Sequence, residues 1–564
     1  MGVNVPGLTA LMLFYLLVLG VGIWASVKSK REARKSAADK IEMALLGNRG
    51  IKKAVGIFTM TATWVGGCFI MGITEMIYTP SMGLVAVAVL LAAFSCSFIF
   101  GGLALVKPMR HCNYVTMLDP FQIKYGKAFA ALQALVALLS DVLWLTATLI
   151  SLGATMNVIL DVPYSASIWI SAAVVILYTL LGGFYSVAYT DVVQVVLILV
   201  TMSICLPFVL INPTSVSISQ TALNYTFQAP WIGKLERNFD WTAIDTFLFV
   251  ALGGVGSQAF HQRTLSAAST SAARTTCFVA ALTILIFGIP PILFGAVAAS
   301  TDWNLTSYGS PSPLERGEAA MVLPIVLSHL TPTFVSVVGT AAISAAVMSS
   351  ADSALLSIAS LFTCNIYKTL LRPQASQREI QWLIRAAVVV AGLTGASLAN
   401  LKNSIIMLVF LGSEVGYTLI FPQLVCVLFF DVSNIHGAVS GWLTGLLLRM
   451  LSGEPSLGVA PVIHFPGCTL EDGTYVQHSP VRTIAVLSAI AANLLFSHMA
   501  SVLFNKGLLP QKWDTCKVKA QNSAAGTRPA DDSGRDKEEE TLGEMESPRD
   551  VSQPMITTTR LSVQ

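Results

Sequence analysis

Hydroxyl-bearing residues cluster in one apolar stretch of the chain, where their oxygen atoms could bind a cation. Ser349 and Ser350 are adjacent within residues 344–353, and Asp352 follows two positions later. Adjacent residues of a helix point about 100° apart, so both serines reach one ion only at the edge between two helices. Carbonyl oxygens of a partly unwound neighbour would complete the shell, and such oxygen ligands suit a hard cation such as Na⁺. Close helix packing is the alternative role of these serines; Asp352 and a broken neighbouring helix favour the sodium site.

Glycines interrupt two apolar stretches at positions that correspond to each other. One break is Gly66-Gly67, and the other lies within residues 253–257. Broken helices at matching positions of two halves mark the binding site of many transporters. The breaks lie five spans apart, so the pattern predicts two five-span repeats, residues 54–211 and 243–430, the second inverted because five is odd. Glycine also permits close packing of membrane helices, but the matched positions favour an alternating-access carrier with a mid-membrane site.

Two tryptophans lie in the middle of apolar stretches, where an aromatic cage is one interpretation and core packing is the other. Trp64 immediately precedes the Gly66 break, and Trp144 lies one helical turn after Asp141, so these two share a helix face. Indole faces attract permanent organic cations. The pair, with Asp141 beside it, therefore predicts a cage for a quaternary ammonium group. Three other tryptophans lie near predicted membrane interfaces, where aromatic belts are expected: Trp24, Trp169 and Trp382.

Other ionisable residues lie inside or at the ends of apolar stretches, where charge is costly and usually functional. Asp191 and Arg263 fall near predicted cytoplasmic ends, and Arg263 is interpreted as an anchor or a gate salt bridge rather than a substrate ligand. Asp245 and Glu75 fall near outer ends, where they form a gate or merely lie at the interface.

The amino-acid composition indicates that the segments carrying these residues lie inside a lipid bilayer. Of 564 residues, 54% are hydrophobic and only 12% are charged, against about 25% charged in a soluble domain. Mean hydropathy is +0.69 and net charge +3, which excludes a soluble enzyme, a nucleic-acid-binding protein and a secreted module. Nucleophile–base pairs, phosphate loops and CxxC spacings are absent from the sequence, so we expect no enzyme, no resident cofactor and no metal site other than sodium.

Thirteen apolar stretches approach or exceed the roughly 20 residues that a membrane-crossing helix needs. The fold class is therefore an all-α membrane protein with about thirteen transmembrane helices in residues 1–510. Residues 511–564 are rich in charged residues and serine, and are predicted to be a disordered cytoplasmic tail. The predicted spans are 7–27, 54–78, 83–106, 128–156, 165–184, 187–211, 243–261, 276–299, 333–367, 382–399, 404–430, 437–451 and 481–504.

Basic residues set the predicted orientation. Five of them follow the first span within residues 28–35, so by the positive-inside rule that loop is cytoplasmic and the N-terminus is extracellular. An odd number of spans then places the C-terminus in the cytoplasm. Two glycosylation sequons, at Asn224 and Asn304, fall in predicted extracellular loops.

Eight segments, spread in order over roughly residues 1–510, resemble the sodium/solute symporter family. They are FTMTATWVGG (58–67), KPMR (107–110), YVTMLDPF (114–121), YSVAYTDVVQ (185–194), STDW (300–303), AAVMSSADS (345–353), FPQLVCVLF (421–429) and GEP (453–455). The chain is similar in particular to the high-affinity choline transporter branch of that family, as a diverged paralogue.

The resemblance implies a LeuT-type fold with a 5+5 inverted repeat, coupling to Na⁺ and, for the choline branch, dependence on chloride. It implies that choline is held by Trp64 and Trp144. It also implies a multi-pass plasma-membrane protein, with synaptic-vesicle or endosomal membranes as further locations. The implied sodium ligands are Thr61, Trp64, Ala346, Ser349 and Ser350.

The chain departs from the branch around the expected substrate pocket. Ser257 stands where the branch has a further tryptophan of the cage, and residues 85–93 lack the aromatics expected in the third span. The other departures are Cys68, Phe69, Met71 and Glu414. The leading hypothesis is Na⁺-dependent uptake of choline or a similar quaternary ammonium compound. The alternatives are a sodium symporter for another small amine or osmolyte, because Ser257 opens the cage, and a sensor that binds substrate without transporting it.

Overall fold

The computed structural model describes residues 5–35, 40–160, 162–233, 241–401, 404–454, 458–471 and 474–508. Within these ranges the chain is helical apart from loops, isolated bridges and one two-stranded antiparallel hairpin, Cys468–Glu471 with Thr474–Gln477. The predicted tail, residues 511–564, lies outside the described residues.

Each of the thirteen predicted spans coincides with helical structure. They are span 1, Val5–Lys35; span 2, Lys53–Trp64 and Gly67–Tyr78; span 3, Gly83–Phe100, Gly101–Leu105 and Val106–His111; span 4, Lys127–Leu160; span 5, Tyr164–Gly182; span 6, Phe184–Leu210; span 7, Trp241–Gly253, Gly254–Gly256 and Gln258–Ser266; span 8, Thr270–Ala299; span 9, Thr333–Leu361 and Phe362–Leu371; span 10, Gln377–Ala399; span 11, Ile405–Val415, Gly416–Ile420 and Phe421–Phe429; span 12, Ile435–Leu451; and span 13, Val481–Asn505.

Shorter helices lie in the loops. They are Lys40–Leu46, Gly47–Arg49, Asp119–Tyr125, Ile218–Thr221, Trp303–Leu305, Ala319–Met321 and Val322–Leu330. Spans 5 and 6 are joined by a single residue, Gly183, whose φ of 72° favours glycine. The sequence placed this join two residues later, at 185–186, because the apolar run continues through Gly183.

Length and hydropathy support the membrane assignment. Among the described residues, eight helices are long and apolar enough to cross a bilayer, and two bent pairs raise that number to ten. The bent pairs are spans 2 and 7, at angles of 45° and 51°, so both predicted breaks are present. Spans 1 and 5 carry shorter apolar segments, and span 12 has 17 residues. The all-α membrane fold class is confirmed.

The bundle has a buried centre and two distinct ends. Among the eight unbroken spans that are long and apolar enough to cross a bilayer, span 9 is the most enclosed, with 89% of its most apolar window buried, whereas the same measure for span 13 is 28%. Span 9 packs against spans 4 and 6, where its small residues Ser357 and Ser349 hydrogen-bond to Asp141 and Asp191 and let the helices approach closely. We call the end that carries Arg110, Arg274 and Arg372 the basic end, and the opposite end the loop end.

Candidate functional site

A small cavity lies where the two broken helices meet. Spans 2, 4, 7, 9 and 11 all contribute to its wall. The lining residues are Thr63, Trp64, Ser140, Asp141, Trp144, Gly253, Gly254, Ser257, Ala259, Ser353, Ala354, Gly412 and Ser413. All four predicted substrate residues, Trp64, Trp144, Asp141 and Ser257, therefore border one space.

Two indole rings form one wall of this cavity. The ring centroids of Trp64 and Trp144 lie 5.7 Å apart with an interplanar angle of 64°, an edge-to-face arrangement favourable for aromatic rings. Phe94 and Phe98 pack edge-on against Trp64, with centroids 5.6 and 5.5 Å away. Residues 85–93 of span 3 hold no aromatic residue, as the sequence indicated. The next turns of the same helix nevertheless supply rings that position Trp64, which the sequence analysis did not anticipate.

The rest of the lining, which we call the polar wall, is rich in hydroxyl groups and carries one carboxyl group. Asp141 is the only ionisable residue among those that line the cavity, and its carboxylate accepts a hydrogen bond from Ser357. Ser140 donates to the carbonyl oxygen of Gly412 at 2.7 Å, which fixes span 4 against span 11. Ser257 lies at the start of the second half of span 7 in an extended conformation, with φ −91° and ψ 133°. The wall thus offers one negative charge and several hydroxyls to a bound cation.

The break in span 2 lies directly against the serine motif of span 9. A Cβ atom on Gly66 would stand 1.5 Å from Ser350 Oγ and 3.4 Å from the carbonyl oxygen of Ala346. Only glycine permits this contact. Ser350 Oγ is buried and has no hydrogen-bond partner within the described chain, which is unusual for a buried hydroxyl. The predicted ion-binding elements are therefore adjacent, with one oxygen atom available at their junction.

Ser349 has a different environment from Ser350. Its hydroxyl donates to Asp191 of span 6 at 2.5 Å, and the same carboxylate accepts a hydrogen bond from Thr59 of span 2. Arg263 of span 7 lies 3.9 Å from Asp191, with both side chains fully buried. The sequence analysis placed Asp191 and Arg263 near the cytoplasmic ends of spans and interpreted Arg263 as an anchor or gate. The structure instead buries both beside the serine motif, because spans 6, 7 and 9 pack together there.

The remaining predicted sodium residues are divided between two faces. Thr61 contributes its carbonyl oxygen to the cap of span 2, where it accepts from Val65 N at 2.7 Å, and its hydroxyl lies 3.2 Å from that of Thr283. Asp352 accepts from Thr179 of span 5 at 2.5 Å, and its other carboxylate oxygen has no partner in the described chain. Asp352 lies two positions after Ser350, so the two side chains point about 200° apart around the helix. Asp352 is therefore not brought together with Ser350 at the break, as the sequence analysis had grouped them.

A second charged cluster, at the loop end, was only partly anticipated. Arg482 Nε donates to Glu414 Oε2 at 2.9 Å, and its Nη1 lies 3.5 Å from Asp245. Arg449 pairs with Glu414 and with Glu454. These five residues join spans 7, 11, 12 and 13 beside Ser413 of the cavity wall. Asp245 was foreseen as a gate or interfacial residue; the two arginines carried no signal, since basic residues at span ends normally indicate anchoring.

The two glycosylation sequons lie at one end of the bundle. Asn224 and Asn304 are both exposed, and their loops are joined by a hydrogen bond of 2.8 Å between the hydroxyls of Ser215 and Thr301. Both sequons therefore lie on the same side, at the loop end, where the orientation rule had placed them together.

Comparison with known proteins defines the family to which this fold and site belong. Residues 45–445 match the model of the Sodium:solute symporter family. The chain is a member of that family. It is therefore a sodium-coupled membrane transporter and not an enzyme, with Na⁺ as the co-transported ion.

Relatives and a solved structure agree with this assignment. The chain is 46% identical over 515 residues to the high affinity choline transporter 1 of Homo sapiens, covering 91% of this chain and 88% of that protein. It is 45% identical over 519 residues to the protein of that name from Torpedo marmorata, covering 91% and 89%. A Na⁺-coupled sialic acid symporter, in a substrate-bound outward-open state, matches with a TM-score of 0.66 and 16% identity, covering 88% of this chain and 97% of that one. That likeness is one of fold, and the predicted LeuT-type fold with its 5+5 inverted repeat is confirmed.

Proposed function

We propose that this symporter carries choline, or a closely similar quaternary ammonium compound, into the cell together with Na⁺ by alternating access. The observation that supports this proposal most directly is the cavity that Trp64, Trp144, Asp141 and Ser257 line together. The relatives at 45–46% identity are named choline transporters.

A quaternary ammonium group cannot donate a conventional hydrogen bond, so its recognition depends on aromatic faces, dispersion and a counter-charge. The Trp64–Trp144 wall supplies the first two, at about 0.5–2 kcal/mol per well-placed ring. Asp141, which lines the same cavity, supplies the charge. The hydroxyl group of choline finds hydrogen-bond partners among the serines of the polar wall, of which Ser257 and Ser353 are examples.

We assign the sodium site to the junction of spans 2 and 9, with ligands from Thr61, Trp64, Ala346, Ser349 and Ser350. Support comes from the buried, unpartnered hydroxyl of Ser350 and from its contact with the span 2 break. Asp352 contributes negative charge to the same buried region from the side of span 5. Trp64 belongs to both the ion shell and the cage. Sodium that fixes the end of this half-helix therefore also orients the indole ring, which couples ion and substrate binding reciprocally.

The finer parts of the assignment rest on the family branch and on charge placement. We propose chloride dependence, an extracellular N-terminus, a cytoplasmic C-terminus, a plasma-membrane location and glycosylation at Asn224 and Asn304. Replacement of chloride by gluconate in an uptake assay tests the first of these. Uptake that persists in gluconate removes the chloride assignment and leaves the sodium coupling intact.

Uptake of labelled choline by cells that express the full chain tests the main proposal. Replacement of Na⁺ by N-methyl-D-glucamine should abolish accumulation, and unlabelled choline should compete with the label. Binding of choline without accumulation in sodium medium would instead indicate a sensor. The absence of both binding and uptake, with the protein at the cell surface, would exclude choline as the substrate.

A second candidate substrate is a small amine that carries hydrogen-bond donors. The polar wall favours it, because Ser257 places a hydroxyl where a further indole would close the cage. Competition by primary and secondary amines that is stronger than competition by choline would support this alternative.

A further inference from the structure

One face of span 10 combines basic and aromatic residues at the basic end of the bundle. Arg378, Trp382, Arg385 and Val389 follow one another at intervals of four, three and four residues, so they lie along a single helical stripe. The first three are exposed on the outside of the bundle, and Trp382 has 68% of its surface exposed. On a membrane helix, such exposure means contact with lipid.

This stripe forms one wall of an open groove of about 1,040 Å³ between spans 10 and 5. The guanidinium carbon of Arg385 lies 5.1 Å from the centroid of the Trp382 ring, which fixes both groups at the groove mouth. The rest of the lining is apolar and consists of Leu180, Ala386, Val389 and Val390. The groove therefore joins one cationic group to a lipid-facing apolar channel.

The charge of Arg385 is not balanced by a carboxylate. Within the described part of the chain, Arg385 has no salt bridge, and the neighbouring Glu379 is already paired with Arg372 at 2.9 Å and with Tyr367. Arg385 lies nine residues after the cap residue Ser376, or about 13 Å along the helix axis. An unpaired arginine exposed to lipid is costly unless it meets an anion or reaches the interface.

We propose that this groove binds an anionic phospholipid from the leaflet at the basic end. The lipid phosphate accepts hydrogen bonds from Arg385, the indole of Trp382 lies at the level of the headgroup, and an acyl chain lies along Ala386 and Val389. Basic pockets between transmembrane helices on the cytoplasmic side are suited to anionic headgroups. A soluble anion would leave the apolar part of the groove unused, and a protein partner would have to approach from within the bilayer.

The position of the groove gives the lipid a structural role. Spans 5 and 10 are the fourth members of the two five-span repeats, so the lipid occupies the seam between counterpart helices. Spans 5 and 10 also pack against each other and against span 4, which carries Asp141 and Trp144. We therefore expect bound lipid to stabilise the purified protein without contacting the transport cavity.

Native mass spectrometry of the purified full chain tests the proposal. Protein from nanodiscs of phosphatidylcholine with and without phosphatidylserine is compared for retained lipid, in wild type and in Arg385→Gln. We expect phosphatidylserine retention to fall about fivefold in the variant, the change that corresponds to about 1 kcal/mol for one basic residue at an anionic surface. Ala386→Trp, which fills the apolar channel, should lower retention as well, and Arg385→Lys should restore part of it.

The matched control is Arg316→Gln at the opposite end of the molecule. Arg316 also lies over an aromatic ring, 4.2 Å from the centroid of Tyr308, and is exposed, but it lies in the loop between spans 8 and 9, away from the groove of span 10. Its substitution should leave retention unchanged. Equal retention of phosphatidylserine by wild type and Arg385→Gln would overturn the proposal. Retention of phosphatidylcholine by wild type to the same extent as phosphatidylserine would also overturn it. So would displacement of the lipid by soluble glycerophosphoserine.

Discussion

Spans 2 and 7 are both interrupted by glycines, yet the two breaks lie against different kinds of neighbours. The Gly66 break of span 2 contacts side chains of span 9: added Cβ atoms would meet Ser350 Oγ at 1.5 Å and, from Gly67, Val347 at 2.1 Å. At the break of span 7, added Cβ atoms on Gly253 and Gly256 would meet main-chain oxygens of span 11, Ser413 O at 2.5 Å and Gly416 O at 3.3 Å, whereas one on Gly254 would meet Ser97 Oγ at 2.7 Å and the Trp64 ring at 3.2 Å.

The difference is in the surroundings and not in the bend, because the two angles, 45° and 51°, are similar. Span 2 ends against buried hydroxyls, one of which has no partner, so this break provides oxygen atoms for an ion. Span 7 leaves Gly253, Gly254 and Ser257 on the cavity wall, so this break provides space for the substrate. The inverted repeats thus place a glycine break at two corresponding positions, and the helix next to each break determines whether it binds an ion or borders the substrate cavity.

We expect the largest effect when one methyl group is added at the span 2 break, and a much smaller effect when it is added at the span 7 break. Gly66→Ala forces a Cβ into Ser350, whose atoms lie on a helix that is buried on all sides, so overpacking must displace span 2 or span 9. We expect uptake to be abolished. Gly256→Ala meets the Gly416 carbonyl oxygen at a tight but tolerable 3.3 Å and the Ile420 side chain at an ordinary 3.6 Å. It should retain uptake within about threefold of wild type, a change of less than about 1 kcal/mol.

Uptake normalised to surface-biotinylated protein measures both variants. If Gly66→Ala transports at the wild-type rate, the close contact of spans 2 and 9 is wrong, and the sodium site proposed there has no structural basis. If both variants fail equally, the two breaks do not differ in the way that their neighbours indicate.

Trp64→Ala should have the next largest effect, because this residue serves both regions. Its ring contacts Trp144, Phe94 and Phe98, and its backbone ends the first half of span 2. Loss of a desolvated cation–π contact of about 2 kcal/mol corresponds to about 30-fold in apparent choline affinity. Concentration dependence of choline uptake measures this change. Trp64→Phe, which keeps a ring, should recover part of the affinity; no recovery would mean that the indole acts only through packing.

Hydropathy and glycine placement predicted the architecture because they are properties of single segments. Apolar runs located all thirteen spans, and the two glycine clusters located both bends. The cavity residues could also be predicted from the sequence, since Trp64 and Trp144 lie in mid-span, where tryptophan is unusual, and Asp141 lies one turn from Trp144. Boundaries shifted by a few residues where the apolar run continued past a helix end, as at Gly183.

Pairings between distant segments were not predictable from one sequence. Ser349 and Asp191 are separated by 158 positions and Glu414 and Arg482 by 68, and nothing local to either residue indicates its partner. The placement of Phe94 and Phe98 against Trp64 likewise depends on how span 3 rotates about its axis. The same limit explains Asp352, which is near the serines in sequence but faces span 5.

Ser350 and Ser349 should respond differently to removal of their hydroxyls. Ser350 Oγ has no hydrogen-bond partner among the described residues, so Ser350→Ala should lower apparent sodium affinity about tenfold, the scale of a lost bond to a charged group, and leave thermal stability nearly unchanged. Ser349→Ala also removes a donor to buried Asp191, so it should lower both sodium affinity and stability. In each variant, choline affinity at saturating sodium should change less than sodium affinity. Unchanged sodium dependence at normal surface expression would make both serines packing residues.

The smallest expected effect concerns Ser257, which tests whether the span 7 break holds an incomplete cage. Its extended backbone, with φ −91° and ψ 133°, accepts any side chain, and Ser257 borders the cavity into which an indole at this position would project. Ser257→Trp should therefore add a third ring and tighten choline binding by about 2- to 30-fold, for a gain of about 0.5–2 kcal/mol. Ser257→Leu is the matched control, since it adds apolar volume without an aromatic face and should gain less.

If the native substrate is instead a polar amine bonded to the Ser257 hydroxyl, the same tryptophan would block its uptake. Wild type and Ser257→Trp that both reach the surface and both fail to transport choline would leave the sodium symporter assignment standing and remove choline as its cargo.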